Sequence, residues 1–260
     1  MTYAAIASLI MLGDDCARID RTALSKALAS LQSEDGSIDS SPLSRGDGDV
    51  RFVFSASATV TLLALPSSAL DARSALRFIA ACQTHEGGLA LQPGGEAHGG
   101  ATFCGLAARS LLLFRDEGNP RESSVDVSAA LRWLARRQDS QSGGPTGRAG
   151  KDPDACYAFW LGASSAILLK EMALPEQLVT DASSLRAWVA RCAASEGPGL
   201  AREPGEDADP FHTAYALAGL ALAGEPALCS VDAELGLTQA TKKLWGAQQH
   251  LNIGSSKLVD

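Results

Sequence analysis

The chain reads as an all-α protein, an α/α barrel (toroid) built of helical hairpins, and three observations predict it. First, related glycine-bearing turns recur: LQSEDGSI at 31–38, CQTHEGGLA at 82–90, RQDSQSGGPT at 137–146 and CAASEGPGLA at 192–201. Aligned on Gly36, Gly88, Gly144 and Gly199 they lie 52, 56 and 55 residues apart, a longer period than most helical solenoids have. Second, each period holds two apolar patterns of helical spacing and no convincing strand. Third, the two patterns differ in kind, one amphipathic and one nearly all small and apolar. A helix that is apolar all round must be buried on all sides, so the second set forms an inner layer and the first an outer one.

Taken in order, the amphipathic segments are 23–31, 72–82, 125–137 and 183–192, each ahead of its turn. The apolar segments that follow are 55–65, 102–114, 155–169 and 213–223. Trp133, Trp188 and Trp245 lie in amphipathic segments and are expected only to pack. Asp14-Asp15 and Glu34-Asp35 fall in turns, where Asp is a turn residue rather than half of a catalytic carboxylate pair. Gly94-Gly95 and Gly143-Gly144 follow no strand, which removes a dinucleotide-binding reading.

With 22 Lys and Arg against 30 Asp and Glu, the net charge is −8, which argues against nucleic acid as a partner. Apolar content of 46% with 20% charged residues is that of a globular chain able to bury a large core. No apolar run has the length of a membrane span and no basic signal-peptide start is present, so a cytoplasmic location is expected. The six cysteines are spread out with no CxxC pair, as in a reduced protein.

The chemistry concentrates at 147–160, GRAGKDPDACYAFW, where Gly and Pro deny helix up to Pro153 and an apolar helix follows. Asp154 is expected at the helix N-cap with Cys156 in the first turn. Alone, that pair is ordinary, since Asp caps helices and Cys packs in cores. A second stretch with the same grammar, DPFHTAYAL at 209–217, places His212 at the start of another apolar helix. Asp, Cys and His together are a three-ligand set for zinc with a fourth position open. His98, Cys156 and His212 open successive inner helices at intervals of 58 and 56, so all three face one rim of the barrel.

At this point the chain resembles the β subunits of the protein prenyltransferases, most closely the geranylgeranyl type I kind. The resemblance rests on MTY at 1–3, LGDD at 12–15, LQSEDGS at 31–37, DVRFVF at 49–54, GEAHGGATFCG at 95–105, the 147–160 run and HTAY at 212–215. It implies one zinc per β subunit, held by Asp154, Cys156 and His212, and contacts to the prenyl diphosphate from His98, Arg148, Lys151 and Tyr157. It also implies a separate helical α subunit as partner, geranylgeranyl diphosphate as donor and, as acceptors, proteins with a C-terminal CaaX cysteine such as small GTPases.

Ten residues before the zinc histidine the farnesyl enzymes carry an aspartate that helps hold magnesium, and the geranylgeranyl type I enzymes a lysine. Here that place is Arg202, so magnesium is expected not to be required. Relative to the family the single domain, 1–260, starts late: about four turns stand where six hairpins belong. The first hairpins are expected to be missing and the wall to be open. Alternatives are a farnesyltransferase β subunit, a cyclase-like or glycosidase-like enzyme on the same barrel, and an inactive truncated relic that only binds a partner. The squalene-type cyclase reading lacks its Asp-rich acid motif, and a relic would be free to lose the three ligands.

Overall fold

The computed structural model describes residues 2–44, 46–115, 125–175, 179–194 and 196–256. Met1 of the first motif, Ser195 of the fourth turn and residues 257–260 of the domain lie outside them. Among the described residues ten α-helices follow one another: α1 (Thr2–Met11), α2 (Arg21–Leu31), α3 (Val50–Leu62), α4 (Ala72–Ala81), α5 (Gly99–Arg115), α6 (Val127–Leu134), α7 (Tyr157–Glu171), α8 (Ala182–Arg191), α9 (Pro210–Leu222) and α10 (Gln239–Ser256). A short 3-10 helix covers Ser67–Ala69. Among the described residues the only β pairing is isolated bridges, such as Gln32 with Ile38 and Gln83 with Leu89, which clasp the repeated turns.

Local chemistry starts the helices. Asp20, Asp71, Asp126 and Asp181 are the N-caps of α2, α4, α6 and α8, each accepting from backbone N–H groups of the first turn. A cap of this kind is worth about 1 kcal/mol. Three turns then reach for the next cap. The Gln32 side-chain amide accepts from Asp71 N at 2.8 Å and donates to Asp71 O at 3.0 Å. Gln83 does the same to Asp126, and Gln138 to Asp181. A planar amide satisfies both backbone groups at once, so each turn fixes where the next outer helix begins. The fourth turn carries Ala193 at this place and lacks the clamp. Gly36, at φ +92, touches the first turn of α4 so closely that a Cβ would lie 1.9 Å from Ser74 O.

The inner layer runs α3–α5–α7–α9, neighbour against neighbour, with α4 packed on α5, α6 on α7 and α8 on α9. Phe103, Leu106 and Leu112 of α5 and Leu168 and Leu169 of α7 are fully buried. The expected burial on all sides therefore holds for the middle of the layer. It does not hold for α9, where only Ala216 and Gly219 are buried. The reason is positional: α7 covers one flank of α9 and no inner helix packs comparably on the other. The two ends of the chain also meet, since Tyr3 Oη donates to Leu235 O and Trp245 Nε1 to Leu62 O. Trp133, Trp188 and Trp245 are buried, as expected of packing residues.

Helix starts differ from the sequence expectation. α3 and α5 begin several residues earlier than 55 and 102, because the Asp49 and His98 side chains cap the backbone there. α7 begins at Tyr157, so Cys156 and not Asp154 occupies the N-cap position. Asp154 instead closes the preceding turn, its Oδ1 accepting from Cys156 N at 2.9 Å.

Candidate metal centre

The loops before α7 and α9 are tied together by their backbones. Ala155 N of the first donates to Arg202 O of the second at 2.8 Å, while Asp154 N donates to Pro145 O of its own loop at 2.9 Å. This brings Asp154, Cys156 and His212 into one cluster whose ligand atoms all lie within 4.8 Å of one another, with His212 Nε2 3.5 Å from Asp154 Oδ1. Donors about 2.0–2.3 Å from one tetrahedral zinc stand roughly 3.5 Å apart, so the donor set and its spacing fit that ion.

The histidine is already set for this task. Asp209, the N-cap of α9, accepts from His212 N at 2.8 Å and pairs with His212 Nδ1 at 2.5 Å. With Nδ1–H donated to a carboxylate, the lone pair sits on Nε2, the atom that faces Asp154. The same bond to His212 holds the Asp209 carboxyl below the usual range. Sequence reasoning missed Asp209, although its signal was present: a carboxylate three residues before the histidine at the same helix start. Asp209→Asn is expected to weaken zinc affinity about 10–100-fold while leaving the fold intact, read by competition with a chromophoric chelator. Unchanged affinity would remove Asp209 from the site.

Cys156 is buried, and its thiol is pushed well above the ordinary range, first by burial and then by Asp154. A cation at this position reverses that balance by stabilising the thiolate.

The expected diphosphate contacts divide into a half-buried, hydrogen-bonded pair and two more exposed cations. His98 Nδ1 accepts from Gly100 N at 3.1 Å, which leaves the proton on Nε2, and Nε2 lies 2.9 Å from Tyr157 Oη. Burial, followed by the Arg148 charge, lowers the His98 pKa, so the ring is neutral at pH 7. His98 Nε2–H therefore donates to Tyr157, and the phenolic proton remains available to another acceptor. Burial pushes the Tyr157 hydroxyl up to about 12, which keeps that proton in place. Arg148 is partly exposed and pairs with Glu96 at 2.9 Å, while Lys151 is exposed on the same loop. Glu96 and Arg51 were not singled out from sequence; Arg51 is clamped by Asp49 and adds to the positive field at His98.

Arg202 is placed differently. Its backbone carbonyl adjoins the metal loop, but its guanidinium is exposed and paired with Glu203 at 2.6 Å and Glu206 at 3.0 Å. The sequence expectation had no partner for it.

Fold and site together define an α/α toroid with an Asp–Cys–His cluster able to hold a metal ion and, beside it, cationic and hydrogen-bonding side chains. Residues 1–245 match the model of the prenyltransferase alpha-alpha toroid domain, and the chain belongs to that family. It is 35% identical over 243 residues to the geranylgeranyl transferase type-1 subunit beta of Arabidopsis thaliana, covering 91% of this chain and 61% of the relative. With the corresponding subunit of Dictyostelium discoideum it shares 35% over 246 residues, 94% of this chain and 65% of the relative. With the protein farnesyltransferase subunit beta of Schizosaccharomyces pombe it shares 35% over 227 residues, 84% and 57%. The chain thus spans about three fifths of the length of the curated relatives it matches. The solved Candida albicans protein geranylgeranyltransferase-I complexed with GGPP superposes with a TM-score of 0.82 over 95% of this chain and 73% of that one, at 22% identity. That likeness bears on the fold. Among the described residues no helix is long and apolar enough to cross a membrane.

Proposed function

We propose that this chain is the β subunit of a cytoplasmic, zinc-dependent protein geranylgeranyltransferase type I. It transfers the prenyl group of geranylgeranyl diphosphate to the cysteine of a C-terminal CaaX motif, such as that of a small GTPase, and works only with an α subunit. The observation that carries the reading is the Asp154–Cys156–His212 cluster beside the His98–Tyr157 pair on one rim. Zinc, when bound, supplies a site at which a substrate cysteine is held as thiolate at neutral pH.

The chain's own residues do the rest. Asp209 holds His212 in the tautomer that presents Nε2. Neutral His98 orients Tyr157 so that its phenol donates to a diphosphate oxygen, and Arg148 and Lys151 supply charge where negative charge grows on the leaving group. Glu96 keeps Arg148 at that rim until an anion arrives. Trp160 and Tyr215, with centroids 4.2 Å apart, and Phe103 against Trp160 form an aromatic wall suited to an isoprenoid chain.

Within this reading Arg202 replaces a magnesium ion as the counter-charge to the diphosphate, once that anion draws it from Glu203 and Glu206. Co-purified with an α subunit, the protein is expected to transfer geranylgeranyl in the absence of magnesium, and Arg202→Asp to make the rate magnesium-dependent. A wild-type rate that collapses when magnesium is chelated with zinc retained would assign Arg202 to its glutamates alone. Farnesyl transfer is the second reading, favoured by the equal identity to the fission-yeast farnesyl subunit. Rates with the two diphosphates side by side decide between them.

A further inference from the structure

One sizeable cavity among the described residues is lined by neither Asp154, Cys156 nor His212. It has a volume of about 800 Å³ and lies between α7 and the outer layer, walled by Leu134 of α6, Leu161 and Ser165 of α7, Leu185 of α8 and Leu222 of α9. Trp160 and Tyr215, which line the interior proposed for the isoprenoid, are not part of its wall, although Tyr157 is. Its size falls within the range of about 300–1,000 Å³ typical of small-molecule sites.

Two polar side chains in this wall are unsatisfied. Arg137 is only 8% exposed, yet its Nε and Nη1 have no hydrogen-bond partner among the described residues. Its guanidinium rests over the Trp133 ring at 4.9 Å, and the Glu86 carboxylate acts on it only from a distance. Ser165, 5% exposed, has an Oγ without a partner. An arginine buried without a paired anion is costly, because the donors on Nε and Nη1 lose water and gain no hydrogen bond in return.

Neither feature follows from the repeat. At the place of Arg137, one residue before the turn bridge, the other three repeats carry Leu31, Cys82 and Cys192. The acids that also line the cavity are already engaged: Asp181 caps α8, Asp232 pairs with Lys242, and Glu234 with Lys170 and Ser110. Arg137 is thus a buried donor with no internal acceptor assigned to it, in a chamber whose wall mixes apolar and polar side chains.

We propose that this cavity is a second binding site, for a small amphipathic anion: a carboxylate or phosphate on an apolar chain. Arg137 binds the anionic head, Ser165 adds a hydrogen bond, and the leucines of α6, α7, α8 and α9 take the tail. The cavity shares Tyr157 with the proposed transfer site, but Arg137 and Ser165 have no part in that reaction, so the assignment does not depend on that reading being right.

The test uses the purified protein, together with any subunit it purifies with, and the fluorescent anion 1-anilinonaphthalene-8-sulfonate as probe. Saturable one-to-one binding is expected, displaced by decanoate or decyl phosphate and not by decanol; the relative strength of the two competitors tells carboxylate from phosphate. Arg137→Met, which keeps an apolar stem of similar reach, is expected to lower affinity for the better anion about tenfold or more, and Ser165→Ala by a smaller factor. Cys156→Ala, which strikes the metal centre, is expected to leave probe binding unchanged, so failure of either site is read separately. Equal affinity in Arg137→Met, competition by decanol as strong as by the anions, or one-for-one displacement by geranylgeranyl diphosphate would overturn the proposal. If Arg137→Met does not fold, Arg137→Lys replaces it: a point charge without the fork must still weaken binding, and unchanged affinity overturns the assignment.

Discussion

Cys156→Ala is expected to reduce bound zinc from one ion per chain to a trace, measured by elemental analysis after dialysis, and to abolish prenyl transfer by the complex. Two ligands, Asp154 and His212, do not make a closed three-residue set, and the thiolate is the softest donor of the three. The fold should survive, because Cys156 makes no side-chain cap bond and its loss removes a single buried sulfur. A pH dependence accompanies this. Since burial and Asp154 raise the thiol's pKa, the metal-free protein is protonated there at neutral pH, and binding must expel that proton. Affinity therefore weakens as pH falls, by about tenfold per unit for one proton displaced. Full zinc occupancy in Cys156→Ala would sink the assignment.

Gly219→Ala should do comparable damage from a distance. A Cβ at Gly219 would lie 2.3 Å from the Ala158 carbonyl carbon and 2.5 Å from its Cβ, so backbone meets side chain where α7 and α9 cross. Neither helix can yield without separating, at a cost of about 1–3 kcal/mol. The helices that separate are those carrying Cys156 and His212, so zinc affinity should fall together with the melting temperature. Gly162→Ala is the control: its Cβ would meet Leu222 at 3.7 Å, an ordinary contact, and the change should be neutral or stabilising. Equal melting temperatures and zinc affinities for wild type and Gly219→Ala would refute the coupling.

Much of this was legible from residue types and spacing. The glycine turns, the two kinds of apolar pattern and the carboxylate, thiol and imidazole at matched helix starts point to an all-helical barrel with its site on one rim. Those signals are local, since a turn, a cap or an apolar stripe depends on a few consecutive residues. Helix starts were less legible. His98 caps α5 through Nδ1, a role a histidine rarely plays, and Asp154 caps a turn rather than the helix. Arg202 was legible as a cation but not as one already paired with Glu203 and Glu206.

Residue types and spacing alone carry the repeat, the helical class and the candidate carboxylate, thiol and imidazole near the starts of the inner helices, because periodicity and capping act within a turn or two of chain. Three-dimensional packing was needed to show that Asp209 sets the His212 tautomer, that a neutral His98 holds Tyr157, that α9 keeps an exposed flank, and that Arg137 is buried in a cavity wall with no hydrogen-bonding acceptor for Nε and Nη1. Those are relations between groups that several loops and helices bring together. Their energies depend on distances of a few tenths of an ångström and on the loss of water around them, quantities that no run of consecutive residues carries.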